Sequence, residues 1–316
     1  MPDPVQILYD PRNGDAALTV VTLEAVPGQR HPARTNCFVV HHVRAGNGAF
    51  WADDARHSFV APCLLFFSPY QLACFDPVDS VLGTSVHFHA NFLCIETYHH
   101  EVGCNGVLFN DPYGVPTVTL DQSADEEVAA LIEQIRRELG EANVAHTEVL
   151  VAYLKILLVR ATRLKREQQA LAGDLAMRRL PPVLDELREL IETNYRSLHA
   201  PADYADRLHM TSKALGRLVK DHLGKTLTEL IRDRVLKHAK WELLHTLRSV
   251  KEIARELGYD DELYFSRLFK KATGYSPQHF REFETAIREG RNLSMSSRPP
   301  SILQGQIPGQ NAGTSA

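Results

Sequence analysis

The chain repeats itself. The run Tyr204-Ala-Asp-Arg-Leu208 reappears 49 residues later as Ile253-Ala-Arg-Glu-Leu257. Leu215, Arg217, Leu218, Val219, Lys220 and Gly224 reappear at an offset of 50 as Phe265, Arg267, Leu268, Phe269, Lys270 and Gly274. The change from 49 to 50 is one residue of difference in the turn inside each copy. Apolar and small residues recur at helical spacing on both sides of that turn, so the segment 182–289 reads as helix pairs arranged twice.

The second copy shows what each pair is. Ser249 caps a short helix, and Glu252 three residues on completes a capping box. Ile253, Ala254 and Leu257 form its inner face, and Ala254 is small enough to let a second helix cross closely. Gly258 supplies a left-handed residue for a sharp turn. Asp260 or Asp261 then caps a helix with Phe265, Leu268 and Phe269 inward and Glu262, Tyr264, Arg267 and Lys271 outward. Two helices at such a turn form the geometry that lays a recognition helix in the DNA major groove. The alternative is a helical repeat with no nucleic-acid role. Against it stand Arg217 and Arg267, one on each outward face. Thr226–Leu247 reads as a single connecting helix, with Leu227, Leu230, Ile231, Leu236, Leu243 and Leu244 as its apolar positions. A rigid connector could hold two readers one turn of duplex apart, roughly 34 Å.

Residues 182–285 resemble the C-terminal domain of the AraC/XylS family of bacterial regulators. The likeness is carried by Ile253-Ala254, Gly258-Tyr259, Tyr264–Lys271, Gly274, Ser276-Pro277 and Phe280-Arg281. The first copy is a looser match, with His209 where the turn often has glycine and Gly216 inside the recognition helix. Gly216 costs up to about 1 kcal/mol of helix propensity and leaves base reading there to Lys213 and Arg217. Leu263 replaces a more usual polar residue and could touch a thymine methyl. The resemblance implies seven helices, a homodimer on direct repeats in double-stranded promoter DNA, and activation or repression together with RNA polymerase. Carried over by position, it implies base contacts from Ser212, Lys213, Arg217, Glu262, Leu263, Tyr264 and Arg267. It implies phosphate contacts from Lys220, Lys225, Lys270 and Lys271.

Charge agrees with that division. Residues 175–290 hold 21 Lys/Arg against 18 Asp/Glu, whereas residues 1–174 hold 12 against 21. Only the C-terminal half is suited to phosphates.

The N-terminal half reads as β-rich between residues 18 and 119. Runs such as Leu18–Leu23, Cys37–Val43, Cys63–Phe67, Val81–Phe88 and Thr117–Leu120 are separated by turn signals at Pro27-Gly28, Gly46-Asn47-Gly48, Asp53-Asp54 and Asp76-Pro77. Two helices follow, one from Asp121 or Ser123 to Gly140 and one over 143–170. A β-domain with two helices ahead of this DNA-binding pattern is similar to the family's cupin-like sensor domain, which binds a small-molecule effector and dimerises through its helices. His31, His87 and His89 are candidates for the effector pocket. His87-Phe88-His89 should put both imidazoles on one strand face, and with His31, His41-His42, Cys94, His99, His100 and Cys104 they form a dense set of potential metal ligands. The first motif of a catalytic cupin is poor here, since His31 is followed by Pro32 and the expected His-x-His with a downstream glutamate is absent, so no metal, cofactor or catalytic residue is assigned and no enzymatic activity is expected. The rival readings are a metal-binding cupin enzyme with an appended DNA-binding domain, and a constitutive regulator without a ligand.

These readings give an α+β chain. An N-terminal cupin-like β-barrel with two helices spans 1–172, and a linker spans 173–181. An all-α domain with two helix-turn-helix units spans 182–289, and a disordered Ser/Gly/Gln/Pro-rich tail spans 290–316. Neither a signal peptide nor an apolar run of membrane-spanning length is seen, and five cysteines are an odd number without a C-x-x-C pair. A cytoplasmic protein with reduced thiols, away from membranes, is expected.

Overall fold

The computed structural model describes residues 4–93, 107–109, 113–141, 144–176 and 181–288, with side chains of the second helix described as far as Leu171. Ten strands come first: β1 (Val5–Ile7), β2 (Leu18–Ala25), β3 (Ala33–Thr35), β4 (Phe38–Ala45), β5 (Asn47–Ala52), β6 (Ala55–Val60), β7 (Cys63–Phe67), β8 (Ala73–Pro77), β9 (Val81–Phe88) and β10 (Thr117–Thr119). They form two five-stranded sheets, in the orders β1-β3-β8-β5-β6 and β10-β7-β4-β9-β2. All pairs are antiparallel except β1 with β3.

Strand β4 lies between β7 and β9 and is buried from Phe38 to Val43 on both faces. One face, with Val39 and Val43, packs between the sheets against Phe50, Phe59, Leu65 and Phe67. The other, with Phe38 and Val40, packs with Leu64, Phe66, Val86 and Phe88 against two helices. A strand covered on both sides shows no hydrophobic alternation, which is why it reads as a continuous run. The covering helices are α1 (Gln122–Glu141) and α2 (His146–Ala176). Val128, Ile132 and Ile135 of α1 and Leu150, Leu154, Leu157, Leu158 and Ala161 of α2 are buried against the sheet. His42 Nε2 lies 2.6 Å from Asp125 Oδ1 and ties β4 to the start of α1. Helix α2 continues to Ala176, four residues into the segment expected as linker.

Seven further helices follow among the described residues: α3 (Val183–Asn194), α4 (Pro201–Arg207), α5 (Ser212–Leu223), α6 (Leu227–His245), α7 (Val250–Glu256), α8 (Glu262–Thr273) and α9 (Pro277–Ile287). They share one core through Tyr204, Leu215, Val219, Leu230, Val235, Ile253, Phe265, Phe269 and Phe280. The sequence offsets hold in space, with α4 and α7 49 residues apart at both ends and α5 and α8 50 apart at both ends. No described helix is long and apolar enough to cross a membrane.

Helix α9 joins the two parts. Its Glu284, 1% exposed, accepts hydrogen bonds from Tyr70 of the β7–β8 connection and from Arg288 at 2.9 and 3.1 Å. Asn91 Nδ2 donates to the Ile287 carbonyl at 2.8 Å, and Ile287 packs with Tyr9 and Cys37. On α6, Arg232 bonds Asp54 at the β5–β6 turn at 2.5 Å.

Candidate nucleic-acid interface

Each recognition helix is started and stopped by its own sequence. Asp261 Oδ1 accepts from Leu263 N at 2.8 Å and starts α8, so of the two candidate aspartates it is Asp261 that caps. Thr211 Oγ1 accepts from Ala214 N at 3.2 Å and starts α5. Both helices end on a left-handed glycine, Gly224 with φ +70° and Gly274 with φ +89°. The supporting helix α7 opens on the expected capping box, Ser249 Oγ accepting from Glu252 N at 3.2 Å and Glu252 Oε2 accepting from Ser249 N at 2.7 Å.

The turns differ in one telling way. Gly258 has φ +79°, and a Cβ there would lie 2.2 Å from the Arg196 carbonyl oxygen. At the equivalent point of the first unit His209 takes φ +52°, a left-handed conformation that costs a residue with a side chain roughly 1–2 kcal/mol. Gly216 faces open space, with nothing within 4 Å of an added Cβ, so no close packing requires a glycine there.

Burial of Leu215 and Val219 on α5, and of Phe265 and Phe269 on α8, turns the opposite faces outward. Ser212, Lys213 and Arg217 are exposed, as are Leu263, Tyr264 and Arg267, while Glu262 is half-buried. The Arg217 and Arg267 side chains are 86% and 74% exposed. Their nearest carboxylates, Asp221 at 3.5 Å and Asp261 at 3.9 Å, form loose surface pairs of little energetic weight, leaving both guanidiniums able to re-aim. Lys270 and Lys271 are exposed on the last turn of α8, and Lys220 reaches its own helix cap at Gly224 O, 2.9 Å. Lys225 is different. Its ammonium lies 2.7 Å from Asp233 with the side chain 12% exposed, so in this arrangement it faces protein rather than solvent.

The spacing alone did not reveal the brace beneath the second unit. Arg281 donates to the Leu243 carbonyl at 3.1 Å and the Arg248 carbonyl at 2.5 Å, fixing the approach to α7. Arg248 lies between Glu242 and Glu256, and Arg196 pairs with Glu256 at 3.3 Å. His238, Glu242 and Glu256 bring their ligand atoms within 4.8 Å of one another, in reach of a metal ion. Those carboxylates already hold two guanidiniums, and Tyr195 bonds His238 Nδ1 at 2.9 Å. The cluster is an ion network tying α3, α6 and α7 together.

The three histidines expected at an effector pocket are not brought together. His31 is exposed, its Nε2 3.3 Å from Gln29 Oε1. His87 points between the sheets beside His41, where burial lowers both pKa values, that of His41 to about 3. His89 lies tilted against Tyr9 at the junction with α9, its Nδ1 accepting from Asn91 N and its Nε2 3.5 Å from Glu284 with no hydrogen bond among the described residues. The two-residue spacing fails because β9 ends at Phe88, and beyond it the chain no longer alternates faces. Cys94, His99, His100 and Cys104 lie outside the described residues. Cys37, Cys63 and Cys74 are buried free thiols, and burial pushes Cys37 up to about 11 and Cys63 up to about 12.

Comparison with known proteins finds a family model on the same segment. A family described as a helix-turn-helix domain matches residues 204–282. The arabinose operon regulatory protein of Escherichia coli K12 is 34% identical over 107 residues, covering 32% of this chain and 36% of that protein. The HTH-type transcriptional activator RhaR of Yersinia pestis bv. Antiqua (strain Angola) is 26% identical over 252 residues, covering 80% of this chain and 76% of RhaR. The solved C-terminal domain of AraT, a response regulator from Geobacillus stearothermophilus, is 33% identical, with a TM-score of 0.32, over 33% of this chain and 87% of that one. The match spans about a third of the arabinose regulators' length, 36% in E. coli and 28% in Salmonella typhimurium. The two helix pairs, repeated at one spacing, fall on the matched segment, so residues 204–282 carry a helix-turn-helix domain.

Proposed function

We propose that the protein is a sequence-specific DNA-binding transcription regulator that responds to a small-molecule effector. One observation carries this reading: two recognition helices of the same length, on one shared core, present Arg217 and Arg267 at equivalent exposed positions. Ser212, Lys213, Leu263 and Tyr264 stand beside them to read base edges, with Glu262 at the start of α8. Lys220, Lys270 and Lys271 hold phosphates. The rigid α6 fixes the spacing of the readers, which suits direct repeats in promoter DNA and contact with RNA polymerase. The protein pairs as a homodimer through the outer face of α2, where Ile156 is 45% exposed. It works in the cytoplasm, where such DNA lies.

The test is fluorescence anisotropy on duplex DNA from upstream of the protein's own gene. Arg267→Ala weakens specific binding by about 1–3 kcal/mol and relaxes specificity at one base pair. Lys271→Ala weakens binding to all sequences alike and lowers the salt slope by about one. An Arg267→Ala variant that binds as tightly as the parent would refute this assignment of the reader.

A further inference from the structure

The interior between the sheets, which His87 enters, is filled by Phe50, Phe59, Phe67 and Phe75 around His41, which bonds Ser85 at 2.6 Å. Open volume lies elsewhere. A cleft of about 1210 Å³ separates the β-domain from α6 and α8, large enough for a small organic molecule. Apolar side chains come from both sides, Phe109 from the β-domain and Ile231, Leu236 and the half-exposed Trp241 from α6.

The charges on its walls are not balanced in kind. Glu284 is held by Tyr70 and Arg288, and Asp54 by Arg232. Burial raises the pKa of Asp53 toward its neutral form, and its Oδ1 accepts from Leu72 N at 2.9 Å. Among the cations on the wall, Arg34 stands out by a buried donor. Its Nε is buried with no hydrogen-bond partner among the described residues, and a buried donor left so costs roughly 1–3 kcal/mol. Its Nη1 comes within 3.8 Å of where a side chain at Gly274 would begin, which places it at the end of recognition helix α8. Lys271, also on the wall, is exposed one turn before that end.

We propose that this cleft is the effector site, and that it takes a small organic anion whose carboxylate-type head meets Arg34 and whose apolar body lies along α6. The proposal rests on the effector-responsive reading and says where and with what chemistry it operates. An occupant touching both domains binds the closed arrangement better than a separated one, which is the differential affinity a switch requires. Because its head lies at the foot of α8, occupancy bears directly on where the second reader points.

The experiment uses the full chain with Trp51→Phe, which leaves Trp241 as the sole tryptophan. The probes are 4-phenylbutyrate and its uncharged counterpart 4-phenylbutanol, followed by Trp241 emission. The acid should give a saturable change and bind at least tenfold more tightly than the alcohol. Arg34→Gln should erase that preference, and Arg34→Lys should keep most of it. Should Arg34→Gln not fold, Lys271→Gln and the acid–alcohol comparison on the parent decide. Equal binding of acid and alcohol, no saturable change, or an Arg34→Gln variant with the parent's preference overturns the site. DNA titrations on the same samples separate the two levels. Arg267-dependent DNA binding without the acid preference removes the cleft site alone, whereas absence of specific DNA binding removes the regulator reading and this proposal with it.

Discussion

At the turn of the second unit the backbone approaches so closely that no side chain fits. A Cβ on Gly258 would meet the Arg196 carbonyl oxygen at 2.2 Å, and a backbone oxygen cannot swing aside as a side chain can. Gly258→Ala is therefore expected to destabilise the protein by more than about 2 kcal/mol, read from urea unfolding followed by circular dichroism. His209 occupies the matching left-handed position, and His209→Gly should stabilise by about 1 kcal/mol in the same measurement. Gly216 gives a third comparison. Its surroundings are open, so Gly216→Ala gains helix propensity without a clash, about 0.5–1 kcal/mol. If Gly216→Ala proved destabilising, an unseen contact on the outer face of α5 would have to exist. The glycine and the histidine stand out in the sequence as departures from the second copy. That Gly258 tolerates no side chain while Gly216 has room for one does not, because the space around each is set by the tertiary fold.

The helix pairs are held by what their inward faces bury. Phe265 and Phe269 of α8 are fully buried, Phe265 tilted against Tyr259 and Phe269 edge-on to Phe280. Phe265→Ala should cost about 3–5 kcal/mol in the urea experiment and weaken DNA binding, since Phe265 and Phe269 together anchor α8 to the core. A loss under 1 kcal/mol would mean that α8 is held by its caps rather than its core. These elements are legible because caps, turn residues and the 3.6-residue period are local properties. The sheet is less so. The buried β4, β7 and β9 announce themselves as apolar runs, whereas β1, β3 and β8 are short, and β5 and β6 show only as a turn signal at Asp53-Asp54. A three-residue strand is defined by its partner, and the partner is remote in sequence.

Across the whole molecule, buried ionisable groups set the response to pH. Burial lowers the pKa of His41 to about 3 and that of His57 to about 4, and it also lowers His87, His42 and His238. The unfolded chain keeps ordinary histidines near 6.5, so between that value and about 4 it binds more protons than the folded chain does. Stability is complete above the unfolded value and is lost as pH falls. Glu284 acts in the same direction. Burial alone would raise its pKa, but His89, Arg288 and Tyr70 more than offset that and lower it, so its contribution disappears as the solution drops below the ordinary carboxylate range. The melting temperature should therefore decline steadily from pH 6.5 to 4, and His41→Gln should flatten the upper part of that decline. A melting temperature constant over the range would show that these imidazoles are solvated in solution.

The two readers and their turns were determined by sequence alone, because a helix-turn-helix writes its caps, its glycine and its inward face into some twenty consecutive residues. Repetition at offsets of 49 and 50 then made the pattern specific. The outward side chains of α5 and α8 followed from periodicity, and all but Glu262 are exposed in the fold. What only tertiary structure decided is where the β-rich half meets the helical half. His87 and His89, two residues apart, part company at the end of β9, and Lys225 turns inward to Asp233. Glu284, a carboxylate on the inward stripe of α9 with Phe280 and Ile287, becomes the buried link to Tyr70, 214 residues away. Such contacts depend on how two domains dock, and docking is a property of surfaces assembled from distant segments rather than of any local period.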